Sequence, residues 1–412
     1  MLRFGFAFVV LFVVTLPFPL SFFPSPANSF HAVFQQLNLW SARHVFGITT
    51  GFSPDLDSDT TGLYLHVFHL LLFSAVAAFI WLRFSRHSSR ETALKYIFHT
   101  SASYILAFFL LKYGLDKLFK AQFYLPEPNT LYTPLGLLSK DILFWSTIGS
   151  SYSYSFFSGL LEVVPALLLF SRKTRMLGGF IASGVLLHVW VINFSFDISV
   201  KILSSYLLVL TCIVLLPYCR NLYRFFIAEQ TSMTTPAITT IYRDKTVRSR
   251  ALKAFVLISM IFECLFVYVS NNQFNDDLAP RPKFHGAYDV QKPEGPEPAY
   301  SAYFGDLSRI RRIFIHRRGY LIIQFTDDSM QDFPLALNPA ANLLYLNTAS
   351  GPLTITVHHY GKGAYDFGWK EGSRELGLKT HQTDLKALPL FQDDFTWSID
   401  AYTNKKPASS PQ

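Results

Sequence analysis

The chain has 412 residues, half of them hydrophobic and only 16% charged, with 41 phenylalanines and a formal net charge of +8. So apolar a composition excludes a soluble protein of ordinary surface and makes a membrane protein the first expectation. The basic residues lie in loops that flank apolar runs, without interleaved base-stacking aromatics; this excludes nucleic acid and makes the lipid bilayer the expected partner.

A helix needs about 18 or more nearly uncharged residues to cross roughly 30 Å of hydrocarbon. Seven segments read this way: Phe4–Phe23, Leu63–Leu82, Tyr96–Leu115, Ser155–Phe170, Met176–Phe196, Val200–Pro217 and Leu252–Ser270. The first has a second reading as a cleaved signal peptide, because Arg3 precedes it and PSPANS follows it; its apolar run is longer than a usual signal core, which favours an uncleaved span. Between the first two spans, Phe30, Val33, Phe34, Leu37, Trp40 and Val45 recur at helical spacing and predict an amphipathic helix on the outer membrane surface. The loop from Leu118 to Tyr154 is too aromatic for a solvated connection. Its SKDILFWSTI stretch predicts a short helix, N-capped by Ser139, lying on the bundle as a lid.

Lys and Arg crowd alternate loops: Arg83 to Lys95, Arg172 to Arg175, and Arg220 to Lys253. Basic loops resist translocation, so the N-terminus is expected to be cytoplasmic and everything after the seventh span extracytoplasmic, in a plasma (inner) membrane. Cys212, Cys219 and Cys264 lie in or beside spans, so no disulfide framework or Cys metal site is expected outside.

Residues 271–283 read as a linker, after which the texture changes. RRIFIHRRGYLIIQFTDD predicts two strands about a tight turn, with Leu321, Ile323 and Phe325 on one face and Tyr320, Ile322 and Gln324 on the other. GAYDV, MQDFPLAL, NLLYLN, LTITVHHY and DFTWSID are further strand candidates. The expected fold is an all-α polytopic membrane helix bundle of about seven spans plus a C-terminal small antiparallel β-sandwich or barrel-like domain. The divisions are 1–95 (two spans and the amphipathic helix), 96–217 (a four-helix core), 218–251 (a basic loop), 252–270 (the last span), 271–283, 284–402 (the β-domain) and a disordered tail, 403–412.

Ionisable groups inside spans are costly and therefore candidate functional residues. At 1.5 Å per residue, Glu162 lies about 10 Å below the outer surface and His188 about 12 Å below it, which pairs them by depth. Tyr113 is shallower, and Lys117, Asn193, Asp197 and Lys201 ring the outer mouth. The expectation is one polar pocket of these seven residues, with snorkelling of Lys117 and Lys201 and helix capping by Asp197 as the bland alternatives. His66 and His69 share a helix face, for which interfacial packing is preferred to metal binding. No phosphate-binding glycine loop, HExxH or GxSxG motif is present, no metal site is expected, and no cofactor is evident.

YGLDKLF at the exit of the third span, and GLLEVVPALLLFSRKTRMLGG with Glu162 and Thr174-Arg175, resemble motifs of the DoxX-like family of bacterial four-helix membrane proteins. The resemblance covers residues 96–217; the leading spans, the long aromatic loop, the β-domain and Pro165 depart from it. Its members are associated with terminal-oxidase and quinone-linked oxidoreductase complexes. The resemblance therefore implies a pocket for a quinone or lipid-like headgroup and a membrane redox partner. A more distant similarity is to the multi-span domain of gamma-carboxylase-like proteins. The functional expectation is an accessory subunit of a quinone- or lipid-linked redox system. The alternative is a non-enzymatic scaffold or assembly factor whose β-domain binds an envelope protein.

Overall fold

In the computed structural model, residues 1–16, 18, 20–56, 58–84, 89–229, 247–291 and 300–392 are described. The chain forms two compact units, one of residues 1–123 and 151–276, the other of residues 124–150 and 277–412.

The first unit is helical. Its helices are α1 (Leu2–Thr15), α2 (Asn28–His44), α3 (Thr61–Phe84), α4 (Ser89–Leu118), α7 (Tyr152–Phe170), α8 (Arg175–Ser195), α9 (Lys201–Leu215), α10 (Cys219–Phe226) and α11 (Val247–Asn271). Among the described residues six helical stretches are long and apolar enough to cross a membrane: α3, α4, α7, α8, α9 with α10, and α11. The first predicted span differs. Its helix has 14 residues, about 21 Å of rise and short of the roughly 30 Å needed; it ends at Leu16, extended at φ −68° and ψ 127°, as suits a residue that precedes a proline in the sequence. α1 packs along α3 and stacks Phe12 on Tyr206 of α9, with ring centroids 4.0 Å apart. α4 packs on α7, α7 on α8, α8 on α9 and α9 back on α4, which closes a four-helix core; α11 packs on α4. α7 runs through Pro165 without ending.

The amphipathic helix predicted after α1 is α2: it buries Phe34, Asn38, Ser41 and Ala42 and leaves Val33 and Trp40 exposed. His66 and His69 are buried, and His66 Nε2 meets the Thr15 hydroxyl at 2.9 Å, as a packing role requires. The Thr15 hydroxyl spends its proton on the Leu11 carbonyl, so His66 is the donor.

The second unit is built on a closed antiparallel barrel in the order β1-β10-β9-β8-β7-β6-β5-β4. Its strands are β1 (Gly286–Val290), β4 (Ile310–His316), β5 (Tyr320–Phe325), β6 (Met330–Asn338), β7 (Leu343–Thr348), β8 (Gly351–Gly361), β9 (Ala364–Glu371) and β10 (Arg374–Gln382). A small hairpin of β2 (Tyr300–Ser301) and β3 (Gly305–Asp306) precedes β4. Closure pairs β1 with both β10 and β4, which leaves the barrel itself without a sheet edge. Alternate residues fill the interior, including Ile313, Ile315, Leu321, Ile323, Leu344, Leu346, Phe367 and Trp369. The DFTWSID strand, the tail and half of the basic loop fall outside the described residues.

The predicted lid belongs to this unit. Its helices are α5 (Pro128–Leu131) and α6 (Lys140–Gly149). Tyr132 covers Ala287, Phe314 and Ile322 on the outer face of β1, β4 and β5, and stacks under Arg312 at 4.2 Å. Ser139 stands at the N-cap of α6, but its hydroxyl goes to Asp141 instead of capping the helix.

Candidate functional site

The outer end of α4 carries charge at Lys112, Asp116 and Lys117, and helical spacing divides these between two faces. Lys117 and Tyr113 turn towards α7. Lys112 and Asp116 turn towards α11.

The α7 face is set by glycine. A Cβ on Gly114 would lie 2.7 Å from Val163 Cγ2, and one on Gly159 would lie 2.7 Å from the Gly114 carbonyl oxygen. Only a hydrogen fits at either place, so the two backbones touch. One turn further along each helix, Lys117 Nζ meets both carboxylate oxygens of Glu162 at 2.9 Å. The pair is buried, Lys117 being 7% and Glu162 3% exposed. The ammonium also lies 5.8 Å from the ring centroids of Tyr113 and Phe123. Ser155 donates to the Lys117 carbonyl at 3.0 Å, so this helix end is satisfied from α7 as well.

His188 does not join them. It lies two residues from the buried Leu186, about 200° around α8 at 3.6 residues per turn, and is exposed. Depth alone paired it with Glu162, but helical phase points it away, so the expected Glu162–His188 pair is replaced by Lys117–Glu162. Asn193 is buried on α8 with its Nδ2 unpartnered. Asp197, in the left-handed region at φ 53°, and Lys201 form an ion pair of 2.7 Å at the α8–α9 turn. The Asp59 carboxylate, missed in the sequence, accepts the N–H groups of Lys201 and Ile202 at 2.7 and 3.0 Å and caps α9. The expected single pocket therefore divides. Tyr113, Lys117 and Glu162 come together, Asp197 and Lys201 pair with each other at the α8–α9 turn, and His188 faces outward.

The α11 face of α4 holds a cleft of about 250 Å³, lined by Lys112, Asp116, Phe119, Tyr268 and Asn271 among others. Lys112 and Asp116 form an ion pair of 2.9 Å, the Tyr268 hydroxyl donates to the same Asp116 oxygen, and Lys112 lies 5.7 Å from the Tyr268 ring centroid. The i, i+4 spacing of Lys112 and Asp116 was a usable signal for this pair; nothing in the sequence pointed to Tyr268.

A third missed residue is Glu263 of α11, buried, whose carboxylate accepts the backbone N–H groups of Ser21, Phe22 and Phe23. Backbone that has left a helix still needs partners for its N–H groups, and this acid supplies them. As an acid within an apolar span it could have been flagged from sequence.

Among the described residues no cluster of three or more His, Cys, Asp or Glu is placed to hold a metal ion.

A stretch of 111 residues is 34% identical to the uncharacterized protein YwoB of Bacillus subtilis (strain 168), covering 70% of that protein and 27% of this chain. The chain belongs to the YwoB family. That membership brings no activity with it, because YwoB is itself described as uncharacterized. No family model matches the chain, and no solved structure matches it.

Proposed function

We propose that the chain is an integral membrane accessory protein that binds the polar head of an amphiphile, a quinone or a lipid, for a membrane redox partner. The carrying observation is the α4–α11 cleft. It offers an ammonium, a carboxylate and a phenol within one small recess at the end of two apolar helices. At about 250 Å³ it is smaller than the roughly 300–1,000 Å³ that encloses a drug-sized ligand, and suits a headgroup whose tail remains outside. The buried Lys117–Glu162 pair, by contrast, satisfies itself and serves as an interhelical lock. This moves the binding role expected of Glu162 to Lys112, Asp116 and Tyr268.

The DoxX-like resemblance of residues 96–217 supports the redox association, and the placement of basic turns supports a cytoplasmic N-terminus and an extracytoplasmic barrel, with the helices in the plasma membrane. Mass spectrometry of small molecules co-purifying with the full chain tests the reading. A quinone or a single enriched lipid is expected, and its yield should fall in Lys112→Met and Tyr268→Phe. Recovery of bulk lipid alone, unchanged in both variants, would defeat it. Orientation is tested separately on a background lacking the native cysteines: Lys370→Cys should react with an impermeant thiol reagent in intact cells, and Lys173→Cys should not.

The scaffold reading is favoured by a different observation. The barrel interior is filled by branched and aromatic side chains, so the barrel acts through its outer surface rather than by enclosing a ligand. A stoichiometric polypeptide partner with no enriched small molecule would select this reading.

A further inference from the structure

The turn between α7 and α8 holds Arg172, Lys173 and Arg175, away from the cleft just described. Arg175 is the first residue of α8 and only 2% exposed, one of the largest fully buried side chains. Its Nε donates to the Leu169 carbonyl at 3.3 Å, and its guanidinium lies 5.9 Å from the Tyr104 ring centroid. Nη2 is buried without a hydrogen-bond partner. Among the described residues, the titratable and charged groups facing this guanidinium are Tyr96, Tyr104, Arg172, Tyr218 and His99, and none is a carboxylate. His99 turns Nε2 to the Val214 carbonyl at 3.0 Å. A guanidinium stays charged inside a protein, and a buried charge is tolerated when an opposite charge completes it.

Two further observations aim at the same place. Tyr218 is 4% exposed and its hydroxyl is also without a partner. Thr174, at the N-cap of α8, sends its hydroxyl to the Leu168 carbonyl at 2.7 Å, so no side chain caps the helix. The positive end of a 21-residue helix thus adds its field to that of Arg175. Arg172, hydrogen-bonded to the Tyr96 hydroxyl, brings a second guanidinium.

We propose that Arg175, the Tyr218 hydroxyl and the uncapped N-terminus of α8 form a binding site for a phosphate-type oxyanion, carried by an anionic phospholipid or free in solution. Guanidinium and helix N-terminus are the donors that suit tetrahedral oxyanions. The neighbouring α10 has the composition of a segment lying among headgroups, with Arg220 and Arg224 alongside exposed Tyr223, Phe225 and Phe226.

The experiment follows the melting temperature of the full chain, purified in an uncharged detergent and stripped of lipid. It is titrated with phosphatidylglycerol in mixed micelles, with phosphate-free diacylglycerol, or with inorganic phosphate against chloride at equal ionic strength. Saturable stabilisation by phosphatidylglycerol alone assigns the site to a lipid; an equal response to inorganic phosphate assigns it to the free anion. Arg175→Gln should weaken the apparent affinity roughly ten- to a hundredfold. Tyr218→Phe removes one hydroxyl without disturbing the fold, and should weaken affinity several-fold; it keeps the test readable if Arg175→Gln does not fold. Stabilisation reproduced by diacylglycerol, no response to either phosphate source, or an unchanged affinity in Tyr218→Phe would overturn the proposal.

Discussion

Lys117 and Glu162 each stand three residues from the glycine, Gly114 or Gly159, at which its helix touches the other, and so lie on the faces that meet. The close approach and the ion pair are therefore one device. Removing either partner leaves a buried charge uncompensated, at a cost of about 3–5 kcal/mol. Lys117→Ala and Glu162→Ala should each lower thermal stability in detergent sharply, and the double variant should be milder than their sum. Lys117→Met with Glu162→Leu should recover most of the loss. Strict additivity would show that the contact is not made.

The same geometry makes Gly114→Ala costly. The added Cβ meets Val163 Cγ2 at 2.7 Å and the Gly159 carbonyl oxygen at 3.0 Å, so the helices must separate. Overpacking of this kind costs about 1–3 kcal/mol, and it also lengthens the ion pair. Gly184→Ala, where nothing lies within 4 Å of the added atom, is the control and should be near neutral. Equal melting temperatures for the two variants would count against the close crossing.

His188 supplies the opposite test. Being exposed on α8, it should tolerate His188→Ala within about 0.5 kcal/mol, and its cycle with Glu162→Ala should show no coupling energy. A measurable coupling would restore the pairing that depth alone suggested.

The contrast between these residues explains how far the sequence could be read. Hydropathy locates a span along the membrane normal, and the ends of α3, α4, α7, α8, α9 and α11 fell within a few residues of expectation except at the N-terminal ends of α4 and α11, which extend further. It does not report helical phase between neighbours, so Glu162 was found and its partner was not. In the β-domain, β1, β4, β5, β6, β7 and β8 followed from alternation and turn residues. β9 and β10 were missed. Charged residues from Lys370 to Lys379 and the glycines at 368 and 377 obscure a period of two that is nevertheless present in Tyr365, Phe367 and Trp369. The short α1 was foreseeable from Pro17 and Pro19, but summed hydropathy outweighed them.

Glu127 gives the second unit a predicted acid sensitivity. Burial pushes its carboxyl up, yet the His285 hydrogen bond at 3.1 Å and the charges of His316, His285 and Arg317 outweigh this and hold it below its ordinary value. A depressed acid stabilises the fold above its unfolded value, about 4.5, and that contribution is lost as pH falls through the lower folded value. His316 is lowered by burial, against the attraction of Glu127. Acidification below its ordinary 6.5 therefore also favours the unfolded chain. The protection of β1 and β4 amides in the full chain, corrected for the intrinsic pH dependence of exchange, should fall in two stages, first below about pH 6.5 and again below about 4.5. Glu127→Gln should remove the lower stage and His316→Asn the upper. A flat profile from pH 7 to 4 would sink this account.

Glu263 carries the last prediction. Its carboxylate oxygens serve three consecutive N–H groups, with Phe23 N at 2.9 Å, in a stretch where the chain has left α1 and has no helical partners of its own. Glu263→Ala strands all three, and each buried donor left unmade costs about 1–3 kcal/mol when water cannot reach it. Glu263→Gln keeps an acceptor oxygen but turns an amide donor towards backbone donors, so it should be intermediate. The damage should be local first. Limited proteolysis and hydrogen exchange should open residues 20–27 in Glu263→Ala while peptides of α7 and α8 stay protected. If that segment remains as protected as in the unaltered chain, the acid is held there for some other reason. If α7 and α8 open together with it, the segment is integral to the bundle rather than fastened onto it.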